Sequence, residues 1–402
     1  MPPPKLTESA LIVIITPYLW TFSLFAVVMP PFMILRRTPS DRLEFCIIFA
    51  VYILFQLSIS VWAEYLNSAK ISNFVHRNSM DSVTYVLSLG INIVQLIVQT
   101  VIYTQALTGY QLLQSLLDSV MQLESDVRLH CSAVFTFCSM RWRFHKRIDV
   151  WLMIVCVFLP QLTYTLGTAT LTTLSKCIIV FCSILIQMKG VEYCVWAQII
   201  QELLHLVQQQ LIHLKRELVR CKRMELRCSL FAELQANQKL LARVWDLLNR
   251  MERFFCIPIL FLLFFYNGFL KIQTIHWGYI NFELDDFKLR LCRICYIAML
   301  VFSLFIPCYR SQCCIDEYNR FGTILHKLKT VGIDEQLNMR VQEYSLQLMH
   351  QKMLFTCGGL FDINLQNFGA TILTIATYIV ILIQFKLQAE TGRKSRLEAH
   401  IE

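Results

Sequence analysis

The chain has 402 residues, of which 56% are hydrophobic, 12% aromatic and only 16% charged, with a mean hydropathy of +0.50. A soluble domain carries roughly 25% charged residues, so the composition excludes soluble and disordered classes and points to a polytopic membrane protein. The excess of 37 Lys and Arg over 28 Asp and Glu implies no nucleic-acid partner, because basic residues of such chains collect on cytoplasmic loops beside lipid.

Leu11–Leu35 is the first apolar stretch, interrupted by Pro17, Pro30 and Pro31 and marked by Tyr18, Trp20, Phe22 and Phe25. Each proline removes a backbone hydrogen bond that lipid cannot replace. The stretch is therefore expected to be a broken, interfacial or re-entrant segment. It lacks the basic start and small-residue cleavage site of a signal peptide. Seven spans of about 20 residues are expected next, at Leu43–Trp62, Val83–Leu107, Ile148–Thr173, Lys176–Ile200, Phe254–Gln273, Leu291–Tyr309 and Leu365–Phe385.

Orientation follows from the loops. Segments 1–42, 108–147, 201–253 and 310–364 hold 25 of the 37 basic residues, against 8 in 63–82, 174–175, 274–290 and 386–402. Arg141, Arg143, Lys146 and Arg147, and Arg250 and Arg253, lie next to span ends, where the positive-inside rule is strongest. The predicted fold is an all-α membrane protein with seven transmembrane helices, a cytoplasmic N-terminus and an extracellular C-terminus. Its parts are a cytoplasmic N-terminus with the broken segment (1–42), helices 1–4 (43–200), a cytoplasmic helical extension (201–253), helices 5–6 (254–309), further cytoplasmic helices (310–364), the last helix (365–385) and an extracellular tail (386–402). The extensions are inferred from helical spacing, as in Leu203, Leu204, Val207, Leu211, Leu214 and Leu218, which suits either mutual packing or intersubunit assembly.

The sixteen cysteines avoid the expected outer loops, so they form no disulfide scaffold. Cys308, Cys313 and Cys314 cluster at an inner span end, where burial or palmitoylation would suit them. No zinc spacing, Walker loop, glycine fingerprint or HExxH is present, so neither an enzyme nor a metal or cofactor is indicated. Lys189, Glu192 and Lys271 are expected to snorkel or sit at an interface.

The last span carries the strongest signal. Steps of four, three, three and seven place Asn367, Thr371, Thr374, Thr377 and Gln384 on one face, together with Ile381. Because lipid offers no hydrogen-bond partner, that face must meet protein or water. Spacing leaves helix packing and a pore wall equally open.

Thr377-Tyr378, five apolar residues, then Gln384-Phe385 resembles the terminal signature of insect gustatory receptors. Cys357-Gly358-Gly359-Leu360-Phe361-Asp362-Ile363 looks like the turn that leads those receptors into their last helix. The resemblance implies a ligand-gated cation channel of homo- or hetero-tetramers, in the plasma membrane of chemosensory neurons, detecting a small-molecule tastant. It implies that the last helix lines the pore, with Thr374, Thr377 and Tyr378 near the motif's start, Ile381 above them, and a gate at Gln384 and Phe385. The cytoplasmic helices of 310–364 would anchor the subunits. With outer loops too short for a domain, the ligand would sit among the outer halves of the spans, beside Thr84, Tyr85, Gln161, Tyr164, Tyr266, Asn267 and Tyr296. A bitter or deterrent compound is the first expectation, with sugar and contact pheromone as alternatives. A G-protein-coupled receptor is the rival reading, but it needs the N-terminus outside and lacks its Asp-Arg-Tyr and Asn-Pro-x-x-Tyr motifs here. A secondary transporter would need midplane charges.

Overall fold

The computed structural model describes residues 9–35, 39–77, 82–130, 137–166, 172–220, 224–280, 286–329 and 335–398. The three longer outer connections, Cys131 and Cys221 lie wholly or partly outside these residues. Helices make up nearly all of the described chain, with one isolated bridge between Thr356 and Asp362.

The N-terminal stretch forms α1 (Ala10–Leu24) and α2 (Pro31–Leu35). Pro17 stands inside α1 and does not break it, contrary to the sequence expectation; a single missing N–H is tolerated there. The break comes at Phe25–Pro30, where Ala26 adopts φ +53°, and Pro31 opens the next turn. At 15 residues, α1 reaches about 22 Å, short of the ~30 Å hydrocarbon core. Its Leu11, Ile14, Ile15, Leu19 and Phe22 are buried on α5 (Tyr110–His130) and α8 (Thr173–Arg220). Glu124 of α5, 2% exposed, caps its first turn: the carboxylate accepts from Ser9 Oγ at 2.5 Å, Ala10 N–H at 2.7 Å and Leu11 N–H at 3.0 Å.

Among the described residues, six helical regions are long and apolar enough to cross a bilayer: Glu44–Ala69 of α3 (Pro39–Arg77), Tyr85–Thr108 of α4 (Ser82–Thr108), Ser139–Leu166, α8, Phe287–Leu328 of α11 (Phe287–Lys329), and Leu365–Phe385 of α13 (Leu365–Glu398). Ser139–Leu166 joins α6 (Phe137–Met153) and α7 (Leu159–Leu166) through a π-helical stretch at Ile154–Phe158. The remaining expected span, Phe254–Gln273, is also helical throughout, but a second π-helical stretch at Phe261–Tyr266 divides it between α9 (Met224–Leu260) and α10 (Asn267–Ile280). Both π stretches lie close to a proline, Pro160 or Pro258, whose missing N–H frees a carbonyl one turn earlier.

α8 is the central element. It runs unbroken for 48 residues, and 72% of its most apolar window is buried, against 6% for α13. Its length of about 72 Å carries it beyond any bilayer core, as the spacing of Leu203–Leu218 predicts. Below the apolar region, Arg143 of α6 donates to Glu202 at 2.9 Å, Arg310 of α11 to Gln198 at 3.2 Å, and His205 meets Glu317 at 2.9 Å. The juxtamembrane Arg143 therefore also ties α6 to α8. α12 (Glu335–His350) buries Leu337, Val341 and Tyr344, and Tyr344 Oη donates to Asn237 of α9 at 2.9 Å. Cys308 and Cys314 are buried and Cys313 half-buried, which favours the packing reading for that cluster.

Two expectations are corrected. Lys189 and Glu192 do not snorkel: both are fully buried on α8 and paired at 2.6 Å, with Lys189 Nζ 4.8 Å and 5.0 Å from the ring centroids of Phe254 and Phe255. Lys271 is likewise only 1% exposed. It is not at a helix end, because α10 continues to Ile280.

Candidate functional site

A compact turn built from the glycine pair leads into α13. Cys357 N–H donates to Phe361 O at 2.9 Å, and Ile363 N–H donates to Phe355 O at 2.6 Å. Gly358 and Gly359 adopt φ +60° and +75°, a region that disfavours any Cβ. The turn is docked on α9: Thr356 N–H donates to Glu252, and the Cys357 thiol donates to Cys256 O at 2.9 Å. A Cβ on Gly358 would lie 2.5 Å from Cys256 Sγ, so glycine is also required by close approach. Asn364 then caps α13, accepting from Asn367 N–H at 2.9 Å, while Asn367 Nδ2 donates to Asp362 O at 2.6 Å.

α13 leans on α10 and α11 through one face only. Phe368 packs edge-on against Phe305 at 5.3 Å, Ile375 is 7% exposed, and Ile372, Ile379 and Ile383 are half-buried. These positions recur at steps of three and four. The six residues singled out on this helix lie elsewhere on its surface: Thr374, Thr377, Tyr378, Ile381, Gln384 and Phe385 are all exposed. Thr374 and Thr377 donate back to Ala370 O and Leu373 O at 2.9 and 3.0 Å, which satisfies their O–H groups within the helix. Packing within the subunit thus runs through Phe368 and isoleucine, half-buries the Asn367 and Thr371 end of the polar stripe, and leaves Thr374, Thr377 and Gln384 uncovered.

Of the expected ligand residues, three come together. Tyr266, Asn267 and Tyr296 are 1%, 0% and 7% exposed. Asn267 Oδ1 accepts from Gln187 Nε2 at 2.8 Å, and Tyr266 lies near Ser183 and Tyr296. Tyr85 is half-buried at the outer part of α4. Gln161 and Tyr164 are exposed, with Lys176 Nζ 5.3 Å from the Tyr164 ring centroid. They face away from that group. The Thr84 side chain lies outside the described residues.

A second polar group was not singled out in the sequence. α3 and α4 pack antiparallel, joined by Asn67 Nδ2 to Asn92 Oδ1 at 3.4 Å and by Tyr103 Oη to Gln56 Oε1 at 2.6 Å. Both bonds fix one register, which puts Ser60 level with Gln99 and Glu64 level with Gln95. Gln56, Ser60, Glu64, Asn92, Gln95 and Gln99 are all less than 9% exposed. Cys182 of α8 closes this ladder, with its sulfur 3.3 Å from Ser60 Oγ. The available signal was the spacing itself, four, four and three along α3 and three, four and four along α4.

Comparison with known proteins places these features in a family. The profile described as 7tm Chemosensory receptor matches residues 15–389. The Drosophila melanogaster protein titled "Putative gustatory receptor 98b" is 34% identical over 382 residues, covering 93% of this chain and 94% of that protein. A second from the same organism, "Putative gustatory receptor 98c", is 28% identical over 390 residues, 95% of each chain. Among solved structures, the insect olfactory receptor OR5 from Machilis hrabei superposes with a TM-score of 0.64 at 10% identity, covering 92% of this chain and 98% of that one. The same receptor in complex with eugenol superposes equally well.

Proposed function

The chain belongs to the 7tm chemosensory receptor family, and from that premise we propose that it is a gustatory receptor subunit acting as a ligand-gated, non-selective cation channel for a small organic tastant. It is a multi-pass membrane protein of helical fold. In this reading four subunits, identical or mixed, stand in the plasma membrane of a chemosensory neuron with α13 of each around a central pore. The cytoplasmic helices of 310–364 hold the subunits together.

The observation that carries the proposal is the division of α13. Its isoleucine face is spent on its own subunit, while Thr374, Thr377 and Gln384 point away from it. The Gln384 amide in that position needs water or another subunit, and the threonine oxygens, whose O–H groups are already bonded within the helix, keep acceptor capacity for either. A ring of four copies supplies both, with threonine oxygens facing hydrated cations and no fixed charge to impose strong selectivity. Phe385, 61% exposed, supplies an apolar collar next to Gln384 that closes the pore by expelling water.

Ligand enters among the outer halves of the spans, where Tyr266, Asn267 and Tyr296 gather and Tyr85 lies on α4. Bitter or deterrent compounds are the first class to apply, followed by sugars and contact pheromones. Binding favours the open state by its differential affinity for it. The path runs along α10 and the π stretch to α9, whose Glu252 and Cys256 hold the turn that starts α13.

The test is single cysteines at 374 and 377, on the stripe, and at 375, on the packing face. Thiol reagents should block ligand-evoked current at 374 and 377 and leave 375 untouched. Reaction at 375 alone would make the stripe a packing face. Currents that vanish in cells without G-protein signalling would replace the channel by a G-protein-coupled receptor.

A further inference from the structure

We propose that the α3–α4 ladder is a binding site for a small organic amine that also carries oxygen acceptors, centred on Glu64. The inference deepens the chemosensory reading above and rests on it for its physiological meaning, though not for its test.

The protein leaves several buried hydrogen bonds unmade along this ladder. Glu64 Oε2, Gln99 Oε1 and Nε2, Gln95 Nε2 and Asn92 Nδ2 are buried and have no nitrogen or oxygen partner among the described residues; the Gln95 and Gln99 side chains come near only the Cys182 sulfur, a weak acceptor. Buried polar atoms are bonded in the great majority of cases, and each one left unsatisfied costs about 1–3 kcal/mol. Five within one ladder are bonds that a guest molecule would complete.

The chemistry of that partner follows from the sorting of the five atoms. Two are acceptors, Glu64 Oε2 and Gln99 Oε1, and one of them belongs to a carboxylate with no ion pair among the described residues. A protonated primary amine brings three N–H donors and the charge that Glu64 lacks. The other three are amide donors, which call for oxygen acceptors on the same molecule. A bare alkali ion would satisfy Glu64 and leave the amide N–H groups unbonded. A neutral polyol would satisfy the amides and leave the carboxylate uncompensated in an apolar surround. The level register of Glu64 with Gln95, and of Ser60 with Gln99, stacks these groups at one-turn steps of about 6 Å. Tyr266 of the expected ligand group lies within electrostatic range of Glu64. At the deep end, the Tyr103–Gln56 bond closes the ladder.

The experiment is equilibrium binding to the full-length protein in lipid nanodiscs. The probes are tyramine, its neutral analogue tyrosol (a hydroxyl in place of the ammonium), and sodium chloride as competitor. Tyramine should bind wild type. Glu64→Gln, which preserves size, should raise its Kd about tenfold or more, as expected for loss of a charge-assisted bond. Tyrosol should be insensitive to Glu64→Gln and weakened by Gln99→Leu. Absence of tyramine binding overturns the proposal, as does an equal Kd in Glu64→Gln. So does displacement by sodium with tyrosol-like behaviour of tyramine, which would make the site an alkali-ion site. If Glu64→Gln yields no monodisperse protein, Gln95→Leu and Gln99→Leu decide, and unchanged tyramine affinity in both overturns it. Channel failure is separate: Glu64-dependent tyramine binding with no ligand-evoked current refutes the gating proposal and keeps the site.

Discussion

Replacing Gly358 by alanine should damage the turn before α13 in two separable ways. At φ +60° an L-residue carries a conformational cost of roughly 1–2 kcal/mol. The new Cβ would also stand 2.5 Å from Cys256 Sγ, far inside contact distance. Relieving that overlap requires a shift of the turn or an unfavourable Cys256 rotamer, together about 1–3 kcal/mol. Gly358→Ala should therefore cost about 2–5 kcal/mol. Gly359 is the internal control. Its φ is +75°, but a Cβ there meets nothing within 4 Å, so Gly359→Ala should cost only the ~1–2 kcal/mol conformational term. Adding Cys256→Ala to Gly358→Ala removes the sulfur and should return the double variant to the level of Gly359→Ala. The assay is thermal unfolding of purified protein in detergent, scored by loss of the monodisperse chromatographic peak. Equal losses for the two glycine variants, or no rescue by Cys256→Ala, would refute the packing argument.

Two further outcomes follow from buried charges. Glu192→Ala leaves the Lys189 ammonium buried and unpaired, a loss of about 3–5 kcal/mol, whereas Lys189→Met with Glu192→Leu should recover most of it; the thermal midpoints of the three proteins check this, and a well-tolerated Glu192→Ala would mean the pair is hydrated. Burial raises the carboxyl of Glu252 above its ordinary range, bonds from Thr356 pull it back, and Asp362 pushes it further up. The folded state then holds the proton more tightly than the unfolded chain, so the contribution is full below the ordinary carboxylate pKa of about 4.3. It is lost as pH rises through the raised value. Glu252→Gln should flatten that part of the profile of midpoint against pH, and a profile that overlies wild type would refute the assignment.

Much of this architecture can be read directly from the chain. The spans and the polar stripe of α13 are period signals, since apolar length and one-face spacing survive folding unchanged. Where the reading stopped short, it stopped at window edges. An apolar window ends at Trp62 and so omits Glu64, although α3 continues to Arg77. Another ends at Gln273 and makes Lys271 look terminal. Hydropathy cannot tell lipid from protein interior, so Lys189 and Glu192 read as interface residues even though their i, i+3 spacing and opposite charge already described a pair. The ladder has no charge run or motif. Its amides become legible only when two helices are laid side by side in register, and nothing in either helix alone supplies that register. Gln161 and Tyr164 illustrate the converse: depth along a span does not say which way a side chain faces, and both are exposed, away from Tyr266 and Tyr296.

α13 is made after α10 and α11, the helices it packs on. By then its own chain offers it little, since only 6% of its apolar window is buried and the exposed Gln384 amide faces a bilayer that cannot hydrogen-bond to it. On the channel reading, the newly made subunit is thus a waiting species whose lifetime depends on how soon other copies diffuse to it. Its abundance at the cell surface should scale more steeply than linearly with synthesis. A non-conducting partner that offers the same isoleucine-backed stripe would speed its export as well as any functional one, so co-expression effects on trafficking and on ligand response need not travel together.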